Sequence, residues 1–492
     1  MSPLARRGQG QAKAKEEAKA EEEAKAAAEE EAKAEAKAEA KAEAKAEAKA
    51  EAKAEEEAKA EEEAKAEAKA EEEAKAEEEE EAKAGGGGQR GTGRNVLSNG
   101  VEPHHLTLSR RGAAGHGAAM DRSYQLFFAC APGLEPLLLA ELSPLTTTPV
   151  IAEPGGVTAC GDARFLHLAH LATGLALRAQ LVVGSFPARH LHELTRRAAE
   201  LPWEVVLPPH ARVTARAHAK RSRLYHTGAI AERVVAGVTE RLGGPADDAP
   251  EHTVLARVVQ DRCELSVDTS GEPLHRRGYR LATGKAPLRE DLARAALLVS
   301  GWDRATPLLD PFCGSGTIAI EGALLARGIP PGAGRRFAFM DGPLFDAALW
   351  DALVAERHAS AVPTAPPILA SDRDAGVIEL ARQNAGRAGV AADVTFSCAA
   401  LGHAPGLRRP ALPPGAVVTN PPWGRRVGGR SPVRPLYQSL GSRLRELPGR
   451  WRIGLVVSDP ALAGDVARGL RSALMTDAGG TKVHLFEGFT RR

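Results

Sequence analysis

Cysteine is scarce in this sequence, with five residues among 492, and the five are scattered along the chain. No two of them form a Cys-x-x-Cys pair, so the sequence excludes a disulfide scaffold and a cysteine-based zinc site. We therefore expect free thiols, no metal ion and a reducing compartment, the cytoplasm. The cysteines are Cys130, Cys160, Cys263, Cys313 and Cys398.

Long apolar runs are also missing. No stretch approaches the roughly 20 apolar residues that a membrane-spanning helix needs. The first residues also lack the basic segment followed by an apolar one that marks an export signal. We expect neither a membrane span nor export.

Large apolar side chains are absent from Ala12–Ala84, where every residue is Ala, Glu or Lys. Such a segment cannot bury a core, so it is predicted to be a solvated helical rod or a disordered chain. Two other interpretations stay open, namely an interaction arm and a true translation start at Met120. Residues 85–119 begin with four glycines and show no apolar periodicity, which is typical of a linker.

The overall charge of +1 conceals two segments of opposite sign. From Met120 to the C-terminus, 44 Lys and Arg residues stand against 35 Asp and Glu residues, whereas acidic residues dominate the first 119 positions. A basic body suits a polyanionic partner such as a nucleic acid, with ordinary surface charge as the alternative.

The pattern of apolar residues predicts folded structure from about Tyr124. Gln125–Cys130 has the pattern of a short strand, and Leu134–Leu142 has leucines on one helical face. Val213–Lys220 alternates apolar with polar residues, which predicts a strand with a basic outer face. Helices are also predicted at 164–177 and 230–242, and strands at 253–259 and 263–268.

From about Pro287, helices alternate with short apolar strands. This alternation predicts a parallel sheet covered on both faces, with its ligand at the carboxyl ends of the strands. The predicted strands are Leu308–Asp310, Ile368–Asp372, Val394–Cys398, Val417–Asn420 and Ile453–Ser458.

The first chemical motif runs from Asp310 to Thr317 and reads DPFCGSGT. It combines a strand end, a glycine turn and a helix start, where free backbone N–H groups can bind a carboxylate or a phosphate. Gly314, Gly316 and Ala319 also satisfy the G-x-G-x-x-A pattern of nicotinamide dinucleotide sites. In that alternative an acid should follow after roughly 20 residues, whereas the first acid at a following strand end, Asp372, lies much farther along the chain.

The second motif, Asn420-Pro421-Pro422-Trp423-Gly424, follows the fourth apolar strand. Two prolines fix the backbone, so that the Asn420 amide oxygen and the Pro421 carbonyl can accept both hydrogens of an exocyclic amine. These bonds favour the pyramidal nitrogen that forms as a methyl group arrives. Trp423 offers a face for stacking a base.

Taken together, the glycine loop, Asp372 and Asn-Pro-Pro-Trp resemble the class I S-adenosylmethionine-dependent methyltransferases that methylate nitrogen. Upstream, Arg212–Val234 (RVTARAHAKRSRLYHTGAIAERV) resembles the core of a THUMP RNA-binding domain. The segments 265–280 and 286–290 and the insertion Arg335–Trp350 are similar to those of bacterial large-subunit ribosomal RNA guanine-N2 methyltransferases. The resemblance covers nearly all of residues 121–492.

This resemblance implies an α/β chain in which a Rossmann-like methyltransferase sheet follows an α+β ferredoxin-like and THUMP module. The expected limits are 1–119 for the tail and linker, 120–175 for the ferredoxin-like segment, 176–270 for the THUMP domain and 280–492 for the methyltransferase domain. Some members of the family carry a second methyltransferase domain, and we expect only one here.

The resemblance implies methyl transfer from S-adenosylmethionine to the exocyclic N2 of a guanine in ribosomal RNA. The residues implied to hold the target base are Asn420, Pro421, Pro422 and Trp423. The residues implied to bind the cofactor are Asp310, Phe312, Gly314, Gly316, Thr317 and Asp372.

The sequence departs from the family pattern at two places. Trp423 stands where the family most often has Tyr, and no acid follows the third strand at Ser397–Leu401, where the family usually has one for the adenine amine. The chemistry needs no general base, because the amine can lose its proton after transfer. We therefore interpret His218, His226 and His275 as surface or RNA-contacting residues.

Basic residues cluster beside the predicted strand–helix turn and beside the target-base motif, where they are candidate phosphate contacts. These candidates are Arg216, Lys220, Arg221, Arg223, Arg276, Arg277 and Arg425. Single-stranded or looped RNA is the expected target, because an amine inside a duplex must first be flipped out.

Four alternatives stay open from the sequence. Transfer RNA is the nearest, because THUMP modules serve both kinds of RNA. DNA adenine methylation shares the Asn-Pro-Pro-aromatic logic but does not explain the upstream module. A non-catalytic RNA-binding assembly factor and a nicotinamide oxidoreductase are the others, and Asn-Pro-Pro-Trp has no role in the last.

Overall fold

The structure of the chain, a computed structural model, describes residues 123–246, 251–280, 288–408, 412–426, 429–430 and 433–490. The predictions made for the tail and linker, residues 1–119, lie outside the described residues, as do positions 286–287 of the junction motif.

Seven strands of the N-terminal half form one sheet. They are β1 (Tyr124–Ala129), β2 (Val150–Glu153), β3 (Gly156–Gly161), β4 (Arg178–Pro187), β5 (Arg212–Lys220), β6 (Glu251–Val259) and β7 (Arg262–Asp268). Their spatial order is β2-β3-β1-β4-β7-β6-β5. All pairs are antiparallel except β5 with β6, which run parallel.

Four helices accompany this first sheet, namely α1 (Glu135–Leu142), α2 (Ala163–Ala172), α3 (Leu191–Ala199) and α4 (Thr227–Leu242). Alternating burial explains the strands, since Leu126 and Phe128 of β1 are buried on the same face. The predicted basic strand is confirmed as β5, in which every second residue from Arg212 to Lys220 is exposed.

The C-terminal half contains the second sheet. Its strands are β8 (Leu308–Asp310), β9 (Ile368–Asp372), β10 (Val394–Cys398), β11 (Ala416–Thr419), β14 (Arg452–Val457), β15 (Arg471–Asp477) and β16 (Lys482–Phe489), and a separate short hairpin joins β12 (Arg425–Arg426) to β13 (Gly429–Arg430). The helices are α5 (Glu290–Val299), α6 (Thr317–Arg327), α7 (Ala347–Ala359), α8 (Ala375–Arg387), α9 (Arg434–Glu446) and α10 (Pro460–Val466). Among the described helices, none combines the length and the apolar character needed to cross a bilayer.

The order of the second sheet is β10-β9-β8-β11-β14-β16-β15. The first five of these strands run parallel, as predicted, and β16 returns antiparallel between β14 and β15. From β8 the chain moves outward to β9 and β10, and then returns to the other side of β8 as β11. The sheet therefore has a topological switch point between β8 and β11, and the carboxyl ends of these strands border a natural ligand crevice.

Several elements were not predicted from the sequence. These are the hairpin β2–β3, strand β4, helix α3 and the terminal hairpin β15–β16. In addition, helix α2 ends at Ala172 rather than at 177, because Thr173 turns to an extended conformation. The chain there runs so close to Arg294 that a Cβ on Gly174 would lie 2.3 Å from the Arg294 side chain.

A buried ionic cluster joins the two halves of the described chain. Arg277, in the connection after β7, lies 3.5 Å from Glu321 of α6, and both side chains are almost completely buried. The Tyr279 hydroxyl donates to Glu321 Oε1 at 3.2 Å. Arg294 of α5 also approaches Glu321 and donates to Glu141 of α1 at 3.0 Å. Helix α6 starts at the glycine loop, so the cluster connects that loop to the first sheet.

Glu141 fixes the backbone turn after α2. Its Oε2 accepts hydrogen bonds from the Thr173 hydroxyl at 3.0 Å, the Gly174 amide at 2.8 Å and the Leu175 amide at 3.0 Å. Its Oε1 accepts from Arg294. One carboxylate therefore satisfies a turn of the N-terminal half and a buried cation of the C-terminal half.

The predicted insertion, residues 335–350, also contacts the N-terminal half. Its aromatic rings pack around His167 and His170 of α2, and His170 Nε2 lies 2.9 Å from the Thr269 hydroxyl. Burial lowers the pKa of His170 to about 4, so this imidazole is neutral at physiological pH. The packed rings are Phe337, Phe339, Phe345 and Trp350.

We predict that Glu141→Ala destabilises the protein by about 3–5 kcal/mol, because the buried Arg294 guanidinium loses its hydrogen-bonded carboxylate and keeps only the more distant Glu321, at 4.0 Å. The matched control is Glu356→Ala, which removes the carboxylate from the exposed Arg164–Glu356 pair and should leave the unfolding curve nearly unchanged. Urea unfolding of both variants measures the difference. Equal effects would show that the Glu141 cluster does not hold the two halves together.

Candidate active site

The glycine loop begins where β8 ends. Asp310 is buried, and its Oδ1 accepts hydrogen bonds from the Thr419 hydroxyl at 2.7 Å and the Phe312 amide at 3.3 Å. Burial raises the pKa of this carboxyl to about 7, although the bond from Thr419 opposes the shift. Asp310 Oδ2 is buried and has no hydrogen-bond partner within the described chain, so it can accept from a ligand.

The loop itself depends on two glycines with left-handed backbone conformations. Gly314 has φ +52° and Gly316 has φ +87°. A Cβ on Gly316 would lie 3.1 Å from both Ala381 and Phe396, so a side chain would be crowded there as well as strained by the positive φ. Apart from its two chain neighbours, no described residue comes within 4 Å of a Cβ on Gly314, so the described chain leaves an open space beside the loop, here called the cradle. Thr317 is the first residue of α6 and is buried.

The loop is fastened to the neighbouring strand end. The Gly314 amide donates to Asp372 Oδ2 at 3.2 Å, and the Cys313 amide donates to the Ser371 carbonyl at 3.0 Å. Asp372 is half-buried at the end of β9, and its Oδ1 accepts from the Asp374 amide at 3.1 Å. The sequence-predicted cofactor residues of β8 and β9 are therefore in direct contact.

Burial and the nearby carboxylates of Asp310 and Asp372 raise the pKa of the Cys313 thiol well above its ordinary value. The thiol is therefore protonated at physiological pH and is a poor nucleophile. This agrees with a structural role for Cys313.

The Asn-Pro-Pro-Trp segment lies at the end of β11, the strand adjacent to β8. The indole N–H of Trp423 donates to Asn420 Oδ1 at 3.0 Å, which orients the Asn420 carboxamide. The Tyr437 hydroxyl of α9 donates to the Pro422 carbonyl at 3.3 Å. The amide oxygen of Asn420 has two lone pairs, so the indole leaves one for a further donor.

Two residues that hold the site were not predicted from the sequence. Thr419 joins the Asn-Pro-Pro-Trp segment to Asp310. A hydroxyl residue at the end of an otherwise apolar strand was the sequence feature that could have identified it. Asn384 of α8 is fully buried and donates to the Ser315 carbonyl at 3.1 Å. The sequence pattern of α8 alone does not distinguish Asn384 from a surface amide.

Four of the candidate RNA contacts lie on β5 or directly after it, and the others lie farther along the chain. Arg216 and Lys220 lie on the exposed face of the edge strand β5, and Arg221 and Arg223 are exposed in the turn that follows. Arg276 is exposed in the connection between the two halves, paired with Glu272 at 2.8 Å. The side chain of Arg425 lies outside the described part of the chain.

The prediction that Arg277 contacts RNA is wrong. Its side chain is only 3% exposed, and its guanidinium donates to the Leu274 and Gly174 carbonyls and faces Glu321. A buried guanidinium that donates to two backbone carbonyls cannot reach a phosphate. His275 is likewise half-buried, and burial lowers its pKa to about 4, so it carries no charge for an RNA backbone.

Among the described residues, no group of three or more His, Cys, Asp or Glu side chains is arranged to hold a metal ion. The five cysteines are free.

Three family models match successive parts of the chain. The ferredoxin-like domain of RlmL matches residues 125–178, the THUMP domain matches 188–268 and the RMKL-like methyltransferase domain matches 277–470. The chain belongs to the THUMP-containing, RMKL-like methyltransferase family. The expected fold class is thereby confirmed.

Two relatives carry the same protein name, ribosomal RNA large subunit methyltransferase K/L. The protein of Syntrophotalea carbinolica is 34% identical over 353 residues, which are 68% of this chain and 50% of that protein. The protein of Legionella pneumophila strain Lens is 34% identical over 363 residues, with 71% and 50% covered. The chain thus spans about half the length of these RMKL-like relatives.

Solved structures of similar architecture include methyltransferases. SMU.472, a candidate methyltransferase complexed with SAH, has a TM-score of 0.68 and 28% identity, covering 76% of this chain and all of that one. A predicted N6-adenine-specific DNA methylase from Listeria monocytogenes has a TM-score of 0.66 and 30% identity, covering 74% and 96%. S-adenosylmethionine is the cofactor of the RMKL-like methyltransferase domain.

The geometry of the loop fits this cofactor. An unpartnered buried oxygen on Asp310 suits a cationic or hydrogen-bonding group, and the open space beside Gly314 admits a ligand against bare backbone. Asp372 presents a half-buried carboxylate at the neighbouring strand end, the position suited to ribose hydroxyls.

We predict that Gly314→Ala weakens S-adenosylmethionine binding about tenfold or more, because a methyl group would fill the cradle beside the loop. The matched control is Gly328→Ala at the other end of α6, where φ is +73° and a Cβ also meets nothing within 4 Å. Both variants carry similar backbone strain, but only the first lies at the site. Calorimetric titration measures both affinities, and equal losses would contradict the assignment of the cradle.

Proposed function

We propose that this chain transfers a methyl group from S-adenosylmethionine to the exocyclic N2 of a guanine in large-subunit ribosomal RNA. One observation carries the chemistry: the Thr419–Asp310 hydrogen bond joins the glycine loop and the Asn-Pro-Pro-Trp segment at adjacent strand ends. The names of the 34% identical relatives support the ribosomal substrate. The THUMP match and the basic face of β5 support RNA as the partner.

The residues proposed to hold the cofactor are Asp310, Phe312, Gly314, Gly316, Thr317 and Asp372. Asp310 would accept from the methionine end, and Asp372 would bind the ribose hydroxyls while its Oδ2 keeps Gly314 in place. When bound, the cofactor supplies an electrophilic methyl group on a sulfonium.

The target guanine is proposed to lie against Trp423, with Asn420 and Pro421 accepting the hydrogens of its amine. The indole N–H bond to Asn420 Oδ1 fixes the carboxamide before the base arrives, so little reorganisation is needed. These two acceptors stabilise the pyramidal nitrogen of the transition state more than the planar amine of the ground state. The bond between Tyr437 and the Pro422 carbonyl keeps the segment rigid.

No general base is proposed. The nitrogen becomes positively charged as it is methylated and then loses a proton readily, so catalysis rests on position and on the two acceptors. Arg216, Lys220, Arg221, Arg223, Arg276 and Arg425 are proposed to contact the RNA backbone. The cytoplasm follows as the proposed location, because ribosomal RNA is the proposed substrate.

We predict that Asn420→Ala lowers the rate of methyl transfer by about 100-fold or more, the scale of losing one transition-state hydrogen bond. Its affinity for S-adenosylmethionine should change little, because Asn420 is proposed to contact the guanine and not the cofactor. The matched control is Gln438→Ala, which removes an exposed amide from α9 and should leave the rate unchanged. The measurement uses the full chain, labelled cofactor and hypomethylated total RNA, followed by nucleoside analysis.

Label in N2-methylguanosine of large-subunit ribosomal RNA is the expected result. Label confined to transfer RNA would overturn the substrate but keep the chemistry. Cofactor binding without any label would favour an RNA-binding assembly factor.

A further inference from the structure

The turn between β5 and α4, residues 221–226, exposes an aromatic side chain. Tyr225 is 68% exposed, the highest value among the exposed large hydrophobic side chains of the described chain. Its neighbour Leu224 is buried and anchors the turn to the core. Leu224 therefore packs the turn against the core, while the Tyr225 ring remains exposed to solvent.

The backbone of this turn is held by a network of hydrogen bonds. The Arg223 amide donates to Asp261 Oδ1 at 2.7 Å, and the Asp261 amide donates to the Ser222 hydroxyl at 3.1 Å. The Ser222 hydroxyl and the Gln260 amide both donate to the Lys220 carbonyl, at 3.0 and 3.3 Å. Tyr225 is thus presented from a fixed turn that is tied to the turn between β6 and β7.

A second ring stands beside Tyr225. The imidazole of His226 is exposed, and its centroid lies 4.1 Å from that of the Tyr225 ring at an angle of 40°. The two rings are therefore packed against each other, and this pair is called the aromatic platform below. A planar, aromatic ligand group gains most from such a surface.

Positive charge surrounds the platform. Lys220, Arg221 and Arg223 precede it in the chain and are exposed. Arg189 approaches from the end of the first sheet and lies 3.4 Å from Asp261, the carboxylate that also faces Arg223 at 4.0 Å. These four cations outnumber the carboxylates next to them, Asp261 and Glu193, which favours a partner that carries negative charge.

An unpaired nucleotide offers both an accessible aromatic base and a negatively charged phosphate. A duplex presents phosphates, but its bases are stacked inside and cannot reach an aromatic platform. Sequence-tolerant stacking on exposed rings within a basic surface is the general mode of single-strand recognition.

We propose that Tyr225, backed by His226, stacks an unpaired nucleotide of the RNA, so that the N-terminal module selects single-stranded over duplex segments. This inference rests on the proposed function for the identity of the polymer. It adds a stacking residue to the basic contacts and names the form of RNA that the turn recognises.

The test measures binding of the full chain to a short single-stranded RNA and to a duplex of the same sequence, over a range of salt concentrations. Tyr225→Ala should weaken single-strand binding about tenfold, leave duplex binding unchanged and leave the salt dependence unchanged. Tyr225→Phe should bind as the wild type, because it keeps the ring. Arg221→Ala, the control for charge, should weaken both RNAs and reduce the slope of the salt dependence by about 1.

Because Tyr225 is exposed, Tyr225→Ala should unfold at the same temperature as the wild type. Unchanged single-strand affinity in Tyr225→Ala, or an equal loss for single-stranded and duplex RNA, would overturn the stacking proposal. The same preparations are assayed for methyl transfer. If the wild type methylates ribosomal RNA and Tyr225→Ala still binds single-stranded RNA normally, only the stacking proposal is refuted. If Tyr225→Ala selectively loses single-strand binding but the wild type transfers no methyl group, only the proposed function is refuted.

Discussion

A single buried hydrogen bond, from the Thr419 hydroxyl to Asp310 Oδ1, joins the two chemical loops of the second sheet. Strands β8 and β11 are neighbours only because the chain reverses direction across the sheet after β10, so their loops lie far apart in sequence and adjacent in space. Both residues are buried, and the attraction between a hydroxyl and a carboxylate is stronger in a buried environment than in water. The position of the Asn-Pro-Pro-Trp segment relative to the glycine loop depends on it.

The same carboxyl is also held ready for a ligand. Burial raises the pKa of Asp310 to about 7, and Oδ2 has no partner within the described chain. A bound cationic group would favour the charged carboxylate and would satisfy that oxygen. The unpartnered oxygen is the reason why we propose Asp310 as one of the residues that hold the cofactor. On the other side of the loop, α6 carries Glu321 into the ionic cluster with Arg277 and Arg294, which links the cofactor loop to the N-terminal half.

The sequence identified those parts whose cause is local. The parallel strand β14 is an almost continuous apolar run because both of its faces are covered, and β5 alternates because one face is exposed. By contrast, β2 is a short, largely exposed edge strand, and β4 contains a register shift near Gly184, so neither shows a clean period. The terminal strand β15 is mostly exposed and lacked an apolar signal.

Long-range partners could not be derived from the sequence. Arg277 resembled a surface cation until the fold brought Glu321 against it, and Asn384 resembled a surface amide until it met the Ser315 carbonyl. The exposure of Tyr225 is equally a property of the fold, because Leu224 and Tyr225 are both ordinary core residues by type. The chemical motifs, however, were visible, since a glycine turn and an Asn-Pro-Pro-aromatic segment require particular residues at particular backbone positions.

The alignment of the two loops is tested by comparing S-adenosylmethionine affinity and methyl-transfer rate in Thr419→Val and Thr419→Ser. Valine keeps the shape of threonine but removes the donor, whereas serine keeps the hydroxyl. A hydrogen bond to a charged group contributes about 1.5–3 kcal/mol, so Thr419→Val should lose roughly ten- to a hundredfold in both quantities while Thr419→Ser stays near the wild type. A folded Thr419→Val protein that binds the cofactor and transfers methyl groups at wild-type levels would contradict the claim that this bond aligns the two loops.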